Sequence, residues 1–151
     1  MQAANNLLKE LGRLIGLEEL ALDDAGQCTL AFDETIVLTF VVDQDDGLNV
    51  VSYIGELEPG NPRSAQALLE RNFTPVGLGG GRVAMEPDSE RVVLVSRWDA
   101  VRTDFALFQQ QLEEFVNAVE AIRKALEEGP ASAPLAGTPT REIVPPPGSF
   151  A

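Results

Sequence analysis

The stretch TIVLTFVVDQDDGLNVVSYIG, Thr35 to Gly55, decides how this chain folds. Its first run alternates with a period of two. Ile36, Leu38, Phe40 and Val42 fall on one side, and Val37, Thr39 and Val41 on the other. Side chains alternate across a strand, so this reads as a strand that is apolar on both faces. DQDDG, Asp43 to Gly47, is a hairpin-type turn. After it Leu48, Val50 and Ile54 take one side and Val51 and Tyr53 the other. A small antiparallel sheet usually leaves one face to water. A strand apolar on both faces therefore needs helices on both sides, or a face that awaits a partner.

Upstream, QCTLAFD alternates with Cys28, Leu30 and Phe32 together, which adds a third strand. Short connections between successive strands make an antiparallel meander. Before it, Leu7, Leu8, Leu11, Leu14 and Ile15 form one helical stripe that Gly16 ends. DDAG, Asp23 to Gly26, marks a turn. Downstream, Asn61 and Pro62 are the N-cap and first residue of a short helix. RVAMEP and ERVVLVSRW read as a second hairpin turning through Pro87, Asp88 and Ser89, with Val93 and Val95 opposed to Val92, Leu94 and Trp98. Phe105, Phe108, Leu112, Phe115, Val116, Val119, Ile122 and Leu126 place a long helix over about 104–128, stopped by Gly129–Pro130. Residues 1–129 make one α+β domain, with the order helix, three-strand antiparallel meander, short helix, two-strand hairpin, long helix. Residues 130–151, rich in Pro, Ala, Gly and Ser, read as a disordered or extended tail. Its VPPPGSF is weak as a polyproline-type ligand.

At 151 residues the chain buries a sizeable core without metal or disulfide. The net charge of −13 argues against nucleic acid and against anionic membranes, since both are bound through Lys and Arg. An acidic surface serves solubility, or suits a basic or aggregation-prone partner. The lone Cys28 forms no internal disulfide and reads as a small core residue, in keeping with a reducing compartment. The amino terminus is not a signal peptide, and no apolar run spans a bilayer.

Catalytic machinery is hard to find. The chain has no histidine, so the commonest general base and metal ligand are missing, and Ser52, Ser64, Ser89 and Ser96 have no His to activate them. TPVGLGGGRVAM, Thr74 to Met85, raises the question of a phosphate loop. Counted from Gly77, the second Walker glycine falls on Arg82, and no Lys-Ser or Lys-Thr follows. Gly79, Gly81 and Ala84 match the dinucleotide spacing formally, but a strand pattern follows where a helix must open. Gly77 to Gly81 reads instead as a flexible joint between the short helix and the second hairpin. Adjacent acids such as Asp45/Asp46 and Glu113/Glu114 point apart, and DQDDG lacks the full calcium-loop spacing. No catalytic residue, cofactor or metal ligand is assigned.

Several segments resemble the class I chaperones of bacterial type III secretion, the Tir-chaperone (CesT-like) family. They are LLKELGRLIGLEELALDDAGQCTLAFDE (Leu7–Glu34), LLERNF (Leu68–Phe73), GGRVAMEPDSERVVLVSRW (Gly80–Trp98) and FALFQQQLEEFVNAVEAIRKAL (Phe105–Leu126). They occur in the family's order. The resemblance implies a homodimer in the bacterial cytoplasm that holds the amino-terminal segment of a secreted effector in extended form, without ATP and without a cofactor. Its partners are then the effector and a second copy, not nucleic acid or membrane. It also implies effector contacts at Phe32, Val37, Thr39, Val41, Val51 and Tyr53, and dimer contacts at Leu68, Leu69, Val93 and Val95. A regulator of the same fold that sequesters a secretion anti-activator is the alternative, and a small enzyme is the less favoured one. The Pro-rich tail and the extra glycines depart from the family pattern.

Overall fold

The computed structural model describes residues 1–128; the expected stop at Gly129–Pro130 and the tail 130–151 lie outside the described residues. Helix α1 (Gln2–Ile15) leads into strands β1 (Gln27–Phe32), β2 (Ile36–Val42) and β3 (Gly47–Glu56). Helix α2 (Pro62–Phe73), strands β4 (Arg82–Met85) and β5 (Arg91–Asp99), and helix α3 (Phe105–Glu127) follow. This is the α+β order expected from the sequence. What local patterns did not foretell is that the meander and the second hairpin join into one five-stranded antiparallel sheet, ordered β1-β2-β3-β5-β4. β3 pairs with β5 from Gly47↔Asp99 to Glu56↔Arg91, with an irregularity between Tyr53 and Gly55.

The register puts residues of one parity in rows. Cys28, Phe40, Val50 and Ser96 form one row, and Leu30, Leu38, Ser52, Leu94 and Val83 the next. All of these are buried. α3 covers this face with Phe108, Leu112, Phe115, Val119 and Ile122, and α1 joins it with Ala4, Leu7, Leu8 and Leu11. An aromatic knot ties sheet to helix. Trp98 meets Phe108 edge-on at 5.6 Å and Phe115 at 6.1 Å, and Phe40 lies 6.5 Å from Trp98. Such pairs add about 0.5–1.5 kcal/mol each beyond the area they bury.

The ends of the helices follow from their sequences. Asn61 caps α2 by accepting from the Arg63 N–H at 3.1 Å, and Asp104 caps α3 by accepting from the Leu107 N–H at 2.8 Å. Gly16 ends α1 in the left-handed region at φ 81°. The stripe on α1 is shorter than its spacing implied, because Leu14 and Ile15 are exposed. They lie in the last turn, beyond the last buried residue, Gly12.

The glycine loop corrects the reading of a flexible joint. Leu78 is buried in the core, and the Gly81 N–H donates to the Leu78 carbonyl at 2.8 Å. Gly79 has φ +56°, and a Cβ there would stand 2.6 Å from the Glu114 carbonyl oxygen and 2.8 Å from Phe115 Cα. The loop is pressed against the backbone of α3, and glycine is required for that approach.

Candidate functional site

The second face of the sheet carries residues of the other parity. The register aligns Thr29, Thr39, Val51 and Val95 in one row, and places Ala31 beside Val37 and Tyr53 beside Val93. Thr39, Val41, Val51 and Val95 are half-buried, while Val37 is 49% and Tyr53 37% exposed. Among the described residues the aromatic cluster and the buried stripes of α1 and α3 lie on the other face. The apolar character of β2 on both sides therefore leaves one face with apolar side chains in contact with solvent.

Five of the six residues expected at an effector surface share this face: Val37, Thr39, Val41, Val51 and Tyr53. Phe32 does not. It has the parity of Cys28 and Leu30 and packs, half-buried, against the core. Tyr53 is overlain by the Arg91 guanidinium, 4.9 Å from the ring centroid. A cation therefore sits at the rim of the apolar patch.

The four expected dimer residues separate. Leu68 is 5% exposed and belongs to this chain's own core, and Val93 is 4% exposed. Val95 is half-buried on the open sheet face, while Leu69 is 68% exposed. Sequence reasoning missed the residues that continue from Leu69. Phe73 is 89% exposed, and Val76 and Met85 are also largely exposed. Leu69 and Phe73 are spaced i, i+4 on the last turns of α2, so they share one outer face of the helix, readable in principle but overshadowed by the buried one; Val76 follows beyond the helix end. Arg71 lies among them. It is half-buried, burial lowers its pKa, and it has no carboxylate partner among the described residues.

β4 is held to α2 by Asn72, whose Oδ1 accepts the Val83 N–H at 2.8 Å and whose Nδ2 donates to the Val83 carbonyl at 3.1 Å. Asn72 thereby occupies the outward backbone groups of Val83 on the edge strand β4.

The polar residues that could carry chemistry have structural partners. Asp43, in the DQDDG turn, accepts from the backbone of Asp45 and Gly47 and from Asn49, and pairs with Arg97 at 2.6 Å. The Arg97 guanidinium, helped by these bonds, holds its carboxyl well below the usual carboxylate range. Ser52 Oγ donates to the Val37 carbonyl, and Ser96 Oγ to the Gly80 carbonyl. Burial pushes the Cys28 thiol up, which disfavours the reactive thiolate. The glycine loop lies between α2 and β4, so the strand–loop–helix setting of a dinucleotide site is absent there. No group of His, Cys, Asp or Glu among the described residues is arranged to hold a metal ion. No helix among them is long and apolar enough to cross a membrane.

The fold has close counterparts among solved structures. The ExsC–ExsE complex contains a chain with TM-score 0.70 and 21% identity, covering 82% of this chain and 92% of that one. The HopA1–SchA chaperone–effector complex gives 0.66 and 20%, covering 81% and 94%. The Yersinia pestis type III secretion chaperone SycH, in complex with a fragment of YscM2, gives 0.60 and 22%, covering 78% and 98%. No curated protein sequence matches the chain at a significant level. The family profile agrees with the fold: the Tir chaperone protein (CesT) family matches residues 6–123, which run from the first turns of α1 almost to the end of α3. With that match across most of its length, and with the helix-backed five-stranded sheet those residues build, this chain belongs to the Tir chaperone protein (CesT) family.

Proposed function

We propose that the protein is a type III secretion chaperone that binds the amino-terminal segment of a secreted effector in extended form and keeps it competent for export. The observation that carries this reading is the sheet face bearing Val37, Thr39, Val41, Val51 and Tyr53, apolar yet left to solvent beside a fully packed core. Exposed apolar patches on stable domains are docking surfaces. An extended peptide fits one well, because side chains of one parity bury against the face while the other parity and the backbone stay in water. Binding of this kind uses surface burial alone and needs neither ATP nor a catalytic group. It suits a protein working in the bacterial cytoplasm, where the effector is held before export.

A second copy docks on the other exposed patch, made by Leu69, Phe73, Val76 and Met85. Asn72 brings helix and strand together there, and Arg71 would find its missing acid across the interface. The experiment is co-expression with a secreted protein encoded beside it, followed by limited proteolysis. The effector's amino-terminal segment is protected with the wild type and cleaved with Val37→Asp or Tyr53→Asp. Equal protection by both variants removes the sheet face from the binding surface. Capture of a cytoplasmic regulator in place of any secreted protein favours the regulatory reading.

A further inference from the structure

The open sheet face runs against the charge of the chain, which carries 24 acids and 11 bases. The register extends the central row of that face from Thr39 through Val51 and Val95 to Arg82 on β4. The row on one side holds Val41, Asn49 and Arg97, and the row on the other Tyr53, Val93 and Ala84. None of these positions is a carboxylate. The acids that come next along β2, β4 and β5 are already engaged. Asp43 is held by Arg97 at 2.6 Å, Glu86 by Arg91 at 3.4 Å and Asp99 by Arg102 at 3.6 Å. Arg82 differs from these arginines. It is exposed, and it has no hydrogen-bond or ion-pair partner among the described residues. A guanidinium offers five N–H donors in a planar fork that matches a carboxylate. The apolar row therefore ends on a group suited to receive one.

The spacing of the row fixes what fits along it. Neighbouring strands lie ~4.8 Å apart, so the three steps from Thr39 to Arg82 span ~14 Å. An extended peptide laid along the row advances ~3.4 Å per residue and turns alternate side chains to the face. Two apolar side chains at alternate positions cover Thr39, Val51 and Val95. The next side chain of the same parity then reaches Arg82. Repulsion from the many acids elsewhere on the chain is screened beyond ~8 Å at physiological salt, so the nearby cation sets the preference.

We propose that the open face takes an extended peptide segment with two apolar residues at alternate positions and an aspartate or glutamate at the next one, and that Arg82 receives that carboxylate. The inference rests on the chaperone reading and deepens it. The acidic chain selects an acidic position in its partner, the reverse of what its net charge of −13 suggests.

Random dodecapeptides displayed on phage and panned against the full-length chain test it. The targets are the wild type, Arg82→Glu, and Arg13→Glu, an exposed cation of α1 that controls for net charge from the other side of the sheet. The wild type and Arg13→Glu are expected to enrich alternate apolar residues followed at the same spacing by Asp or Glu. Arg82→Glu is expected to enrich Lys or Arg there. The most enriched peptide is then made with Glu or Lys at that position. Fluorescence anisotropy at low salt should favour Glu at least ~2-fold on the wild type, within what one surface ion pair supplies, and Lys on Arg82→Glu. Apolar alternation with no acid, or the same acid preference on Arg82→Glu, overturns the proposal and leaves the open face as a binding surface. Arg82 is then only an edge charge that deters strand pairing. No enriched peptide, or peptides retained equally by Thr39→Asp, overturns the chaperone reading of this face as well. Trp98 fluorescence reports that each variant is folded.

Discussion

Substituting Gly79 by alanine tests whether the glycine loop is a packed element or a loose joint. Two costs apply at this position. At φ +56° an L-residue costs about 1–2 kcal/mol. The new methyl would also stand 2.6 Å from the Glu114 carbonyl and 2.8 Å from Phe115 Cα, both helix backbone that has little room to yield. Forcing the loop off α3 adds about 1–3 kcal/mol, as overpacking usually does, and disturbs the buried Leu78 next to it. Gly80 is the control, with φ +74° and nothing within 4 Å of a Cβ. Gly80→Ala therefore incurs the backbone cost alone, partly offset by the stiffer unfolded chain. Urea unfolding followed by Trp98 fluorescence is expected to place Gly79→Ala about 1–3 kcal/mol below Gly80→Ala. Equal midpoints for the two variants would falsify the packed-loop account.

Three further outcomes are expected. Asn72→Ala removes both bonds to Val83 and should lower stability by about 1–2 kcal/mol in the same assay; an unchanged midpoint would mean that water replaces the amide fully. Asp43 has its pKa depressed by Arg97 and the turn amides, so its contribution is present above the ordinary carboxylate value of about 3.9 and is lost as pH falls through the lower folded value. Between pH 6 and pH 3 the wild type should then lose more stability than Asp43→Asn, and parallel profiles would count against the clamp. Leu69→Asp with Phe73→Asp should weaken self-association at least ~10-fold in sedimentation equilibrium, since removal of exposed anchors typically costs more than 1 kcal/mol; sedimentation identical to the wild type would take α2 out of the interface.

Much of the fold was legible because its signals are local. The period-two runs of β1 to β3, the cap at Asn61–Pro62 and the long stripe of α3 each depend on residues close together in sequence. The open sheet face was half-legible. Alternation separated Val37, Thr39, Val41, Val51 and Tyr53 from Leu38, Phe40 and Val50, but left undecided whether a helix would cover them. Phe32 was grouped with them only through the family resemblance, although its parity with Cys28 and Leu30 already set it on the other side. Leu68 and Leu69 show the same limit. Adjacent leucines on a helix point in different directions, and only the position of β4 and the core determines that Leu68 goes inside and Leu69 outside.

By itself, the sequence determined the elements, their order, the absence of histidine chemistry and the acidic surface, because these follow from composition and from periodicities of two and 3.6 residues. Tertiary structure alone decided that β3 pairs with β5, that α1 and α3 share one face of the sheet, and that the glycine loop lies against α3. It likewise decided that Asn72 of α2 occupies the outward backbone groups of Val83 on β4. The reason is physical. Pairing across a sheet and packing on its faces join residues far apart along the chain, and the pattern at either partner alone does not name the other.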